Sequence, residues 1–151
     1  MAELLFPALV PAPFLTPWVV LFAAVALARR LVGQCREELP GGGRRLLDPS
    51  TYTLIAVIGG TAAFGAYAWG VMSGFYLLDP DQMCAAQGVA GDRIVTRETL
   101  PVSAQCVTSD GVGTELVPAW VNPVIFLGLA LLVLALVAGT LAALRRRPSP
   151  R

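Results

Sequence analysis

Three cysteines, Cys35, Cys84 and Cys106, are the residues in this sequence best suited by type to redox chemistry. Catalytic dithiols favour two cysteines separated by two residues, with a lowered pKa on the attacking thiol. Cys84 and Cys106 lack that spacing, so they read as a structural disulfide, and a membrane thiol oxidoreductase is the least favoured function considered. Other chemistry finds few candidates. The chain has no His, which removes the commonest general base and the commonest metal ligand together. It carries no P-loop, no dinucleotide glycine fingerprint and no zinc-ligand spacing. Gly41-Gly42-Gly43 stands between Pro40 and Arg44 without the Lys-Ser/Thr pair that would turn it into a phosphate cradle. No cofactor and no metal site are therefore expected, and the chain is read as non-enzymatic. Asp92, Arg93, Arg97, Glu98 and Asp110 are charged enough to hold a ligand, but a solvated face is the simpler reading.

The cations carry information of another kind. All 11 are arginine and the net charge is only +1, so nucleic acid is not an expected partner. Arg29, Arg30, Arg36, Arg44 and Arg45 form one cluster, and Arg145, Arg146, Arg147 and Arg151 form a second. Between them lie only Arg93 and Arg97. That asymmetry is the positive-inside pattern of a multi-pass membrane protein. The clusters read as topology determinants and as contacts to anionic lipid headgroups, worth about 1 kcal/mol per residue near the surface.

The elements that must position these groups follow from hydropathy. Hydrophobic residues make up 56% of the chain and charged ones 14%, against about 25% charged in a soluble domain. Leu4 to Ala28, Pro49 to Leu78 and Leu116 to Leu144 contain nearly uninterrupted apolar sequence. Each is long enough for a bilayer core, which needs about 20 residues. The expected fold is an all-α membrane protein in a single membrane domain, with a small disulfide-stapled β-ribbon between its second and third transmembrane helices. Helices are predicted at about 14–33, 50–77 and 122–145, with a cytoplasmic linker over 34–49, an outside loop over 79–121 and a cytoplasmic tail over 145–151. Thr16-Pro17, Asp48-Pro49 and Asn122-Pro123 each place a capping side chain before a proline, a helix-start signature. On that basis the first helix becomes regular at Pro17, with Gly33 as its stop. A cleaved signal peptide would need a basic leader, and MAELLF has none. The expected orientation puts the N-terminus outside and the arginine-rich tail in the cytoplasm of a bacterial cell membrane. Trp18, Trp69, Tyr76 and Trp120, toward the outer helix ends, fit an interfacial belt.

Within the loop, RIVTRETL and SAQCVTS alternate as strands do, and Asp110-Gly111 marks a turn before a return strand over Val112 to Val117. A ribbon with so little core needs a staple. Cys84–Cys106 on the oxidising side of the membrane supplies one, whereas Cys35 belongs to the cytoplasmic side. On the second helix Ala62, Ala66, Gly70 and Gly74 recur every fourth residue, and Ala135, Gly139 and Ala143 do so on the third. Such stripes allow close helix packing, within the chain, with another membrane protein or by self-association through the second helix. Thr61, Ser73 and Thr140 have backbone carbonyls on their own helix within reach.

The Ala/Arg richness and the loop ending in VPAWVNP are similar in style to small membrane proteins of high-G+C bacteria, a resemblance that implies no activity. The favoured expectation is an accessory or interaction component that displays the braced loop. An oligomeric pore-forming or transport component is the alternative.

Overall fold

A computed structural model describes residues 11–37, 49–74 and 79–145. In order they form helix α1 (Ala12–Glu37), α2 (Pro49–Ser73), the short α3 (Pro80–Ala86), strands β1 (Arg93–Arg97), β2 (Ser103–Val107) and β3 (Gly113–Glu115), and α4 (Val121–Arg145). Among the described residues, three helices contain segments of 21, 24 and 25 residues that are long and apolar enough to cross a membrane. The fold is therefore mostly helical, with one small antiparallel sheet. Its contacts divide into two units, Met1–Pro13 with Phe64–Phe126, and Phe14–Ala63 with Leu127–Arg151.

Helix boundaries depart from expectation in three places, each for a backbone reason. α1 starts at Ala12 rather than near Pro17 and runs through Gly33 to Glu37. Pro13 occupies the first turn, where a missing N–H costs nothing, and Pro17 removes only the bond to the Pro13 carbonyl. Gly33 is no stop, because Gly88 and Gly111 are the glycines with positive φ among the described residues. α2 ends at Ser73, short of residue 77, in a tight turn closed by Gly74 N–H to the Val71 carbonyl at 3.2 Å. α4 begins at Val121, so Asn122 lies inside the helix and is not its cap; the Trp120 carbonyl accepts the first helical bond, from Val124 N–H at 3.1 Å. The predicted Asp48 cap lies outside the described residues.

The first unit holds the sheet. Its strand order is β1-β2-β3, antiparallel throughout, with Ile94 opposite Cys106 and Gln105 opposite Glu115. The β2–β3 connection is a turn from Thr108 to Gly111, closed by Gly111 N–H to the Thr108 carbonyl at 2.9 Å, with Gly111 at φ +83°. Only a residue tolerant of left-handed backbone suits that last position. The return strand is confined to Gly113–Glu115, shorter than the run predicted from Val112 to Val117. Beneath the sheet, Ala66, Val102, Ala104, Val117, Val121 and Ile125 form a buried apolar cluster.

The second unit contains a close approach of α2 and α4. A Cβ on Gly59 would stand 2.7 Å from the Gly128 carbonyl oxygen, and one on Gly128 2.6 Å from that of Gly59. The two backbones therefore touch, as membrane helices do where neither side chain intervenes. Along α2 the buried positions Ala56, Gly59, Ala63 and Ala66 step by three and four residues, and Thr51, Gly65, Ala68 and Gly70 are buried as well. A strict four-residue repeat drifts by about 40° per step around a helix of 3.6 residues per turn; of the predicted repeat Ala62 is half-buried, and Ala66, Gly70 and Gly74 are buried.

Candidate functional site

The most highly constructed part of the molecule is the disulfide-closed segment between α2 and α4. α3, which sequence reasoning missed, carries the first cysteine. Asp79-Pro80 opens it with Pro at the helix start, and Met83 N–H bonds to the Asp79 carbonyl at 3.0 Å. It closes on Gly88, at φ +71°, with Gly88 N–H on the Ala85 carbonyl and Val89 N–H on the Cys84 carbonyl, both 2.9 Å. That paired pattern is a Schellman stop. It fixes Cys84 on the last turn, facing inward toward β2.

Cys84 and Cys106 form a disulfide, with Cα atoms 5.9 Å apart and neither residue exposed. A Cβ on Gly91 would stand 2.9 Å from Cys106 Cβ and 3.2 Å from Cys84 Sγ. Glycine at 91 is therefore what lets the chain pass over the bridge. Exchange requires a thiolate to reach one of the sulfurs, and here an external thiolate reaches neither without opening the sheet. Cys35 belongs to α1.

Two polar side chains fasten the sheet, and sequence reasoning singled out neither role. Asn122, on α4, accepts from Val102 N–H and donates to the Val102 carbonyl, both at 2.9 Å. Because one backbone partner is a donor and the other an acceptor, the amide orientation is determined. The bonds tie the entry of β2 to the start of α4. Glu115 accepts four hydrogen bonds: Ser103 Oγ at 2.7 Å, Ala104 N–H at 2.8 Å, Gln105 Nε2 at 3.1 Å and Val117 N–H at 3.4 Å. Burial alone would raise its pKa, but these donors outweigh it and hold the carboxyl below the ordinary value of 4.5. Tyr67 hydroxyl donates to the Glu98 carbonyl at 3.2 Å, adding a tie from α2.

The predicted residues fall as follows. Gly70 and Gly74 meet the loop rather than another long helix alone: a Cβ on Gly70 would press on Val121 and Val102, and one on Gly74 on Thr96 and Ala104. Ala66 joins the apolar cluster beneath the sheet. Gly139 underlies Tyr52, with 3.1 Å from a Cβ there to Tyr52 Cβ. Ser73 and Thr140 donate to the Trp69 and Val137 carbonyls, both at 2.8 Å. Trp69 and Trp120 stand exposed with ring centroids 6.4 Å apart, while Tyr76 lies outside the described residues. Asp92, Arg93, Arg97, Glu98 and Asp110 are all exposed, and no cluster of three or more His, Cys, Asp or Glu forms among the described residues. Arg29, Arg30 and Arg145 are exposed, and Arg30 donates to Ser50 Oγ. Arg44, Arg45, Arg146 and Arg147 lie outside the described residues. No protein-family model, curated protein or solved structure matches the chain.

Proposed function

We propose that this chain is a non-enzymatic, multi-pass protein of the bacterial cell membrane that serves as an accessory or interaction component. α1, α2 and α4 act as its anchors, with the N-terminus outside and the tail cytoplasmic. The segment from Asp79 to Trp120 is held outside and presented to a second membrane protein. The observation that carries this reading is the buried Cys84–Cys106 disulfide between two apolar helices. Disulfides persist on the oxidising side of a membrane, and the nine arginines outside that segment favour the cytoplasmic side for the opposite ends of the helices. Exposed β1, with Arg93, Val95 and Arg97 on its surface, is the face offered to the partner.

Labelling with a membrane-impermeant maleimide in intact cells tests the sidedness. A cysteine placed at exposed Asp110 should react in intact cells, and Cys35 only once the membrane is opened. Purification in mild detergent then tests the role. Recovery of one membrane protein in equal amount, lost on Arg93→Glu with Arg97→Glu, supports it. A partner-free oligomer that makes reconstituted vesicles leak ions would replace this reading with a pore.

A further inference from the structure

We infer that the groove between α2 and α4 in the second unit seats one anionic phospholipid, an assignment that rests on the membrane reading above. The groove has a volume of about 420 Å³, within the usual range for small-molecule sites of roughly 300–1,000 Å³. It exists because Ala56, Ala135 and Ala143 are too short to fill the space beside Leu132 and Leu136. It lies on one side of the Gly59–Gly128 backbone contact, along residues 52–57 of α2 and 132–143 of α4. Most of its wall is apolar, which suits an acyl chain.

The polar chemistry gathers at one end. Tyr52 and Thr53 line the groove near the start of α2. Two residues earlier Ser50 accepts from the Arg30 guanidinium, which brings a cation from α1 to that end. Arg145 closes α4 two residues beyond Ala143. A slot that is apolar along its length and cationic with hydroxyls at one end matches a lipid whose headgroup is negative. A partner helix fits it less well. Close helix contact wants an open stripe of small residues, and here Tyr52, Leu132 and Leu136 wall the slot while Gly139 is already covered by Tyr52.

The test is native mass spectrometry of the full chain, purified in mild detergent and given equal amounts of phosphatidylglycerol and phosphatidylcholine. One phosphatidylglycerol should be retained per chain, in preference to phosphatidylcholine. Ala143→Trp, at an exposed position on the groove's lip, should abolish retention, whereas Val133→Trp, exposed on α4 outside the lining, should not. Arg30→Gln should lower retention about fivefold, and Arg30→Lys should restore most of it. Equal retention of the two lipids, or retention indifferent to Ala143→Trp, overturns the assignment. So does a dimer that Ala143→Trp dissolves. Alkaline extraction of membranes separates the two levels: a chain that washes off refutes the membrane reading and this site together, while one that stays embedded yet shows no lipid preference refutes the site alone.

Discussion

Replacing Asn122 by Ala removes both bonds to Val102. Val102 is only 2% exposed, so water is poorly placed to take over either backbone group. A satisfied hydrogen bond contributes about 1 kcal/mol net, and a buried group left without a partner costs about 1–3 kcal/mol. Two groups lost together should therefore weaken the β2–α4 junction by roughly 2–6 kcal/mol. The effect should be local before it is global. Hydrogen exchange of the Val102 amide, followed by mass spectrometry on detergent-solubilised protein, should accelerate at least about thirtyfold, since every 1.4 kcal/mol is a factor of ten. Amides in the middle of α1 should not change. Asn122→Leu keeps the volume and discards both bonds, and it should behave like the alanine variant. If the leucine variant exchanges like the unaltered protein, packing and not hydrogen bonding holds the junction, and the reasoning fails.

The disulfide is a second point of attack. Cys84→Ser should lower the amount of folded protein, because opening a loop of about 23 residues forfeits roughly 3 kcal/mol on the chain-entropy account; unchanged abundance and unchanged protease resistance of the sheet would contradict it. Glu115 sets an acid limit. Its folded pKa lies below 4.5, so its contribution is complete above that value and is lost as pH falls through the folded value. Sheet protection against exchange should decline below about pH 4.5, and Glu115→Gln should show a weaker sheet at neutral pH with that part of the acid dependence gone. Thr51 is 1% exposed, and its Oγ1 has no hydrogen-bond partner among the described residues. Thr51→Val therefore removes a buried unsatisfied group and should leave the detergent melting temperature unchanged or raised; a clear drop would mean the hydroxyl is used.

Much of the architecture was legible from local signals. Three apolar runs specified three long helices because backbone groups are paired within a helix and long apolar runs have few other solutions. Alternation and the Asp110-Gly111 turn specified an antiparallel sheet, and the presence of Cys84 and Cys106 in the one loop between two apolar runs pointed to its staple. α3 had a signal too, in Asp79-Pro80, but at Pro80–Ala86 it is too short to show helical periodicity.

What sequence alone left open depends on distant partners. Asn122 has the local signature of a cap before Pro123, yet its amide bonds Val102, 20 residues away, and no local rule reports such a bond. Glu115 looks like one more surface acid until the β2–β3 register lays it opposite Gln105. Ala62, Ala66, Gly70 and Gly74 form a tidy four-residue repeat, while a backbone-to-backbone helix contact falls on Gly59 and Gly128, outside that repeat. Composition determines that these helices carry small residues, but the crossing point is a property of two surfaces meeting. The sequence by itself thus determined which segments are helix, strand and staple, since those follow from backbone pairing and hydropathy along one stretch of chain. Tertiary structure alone decided which polar groups fasten the sheet and where α2 and α4 touch, since each requires two remote residues at one place.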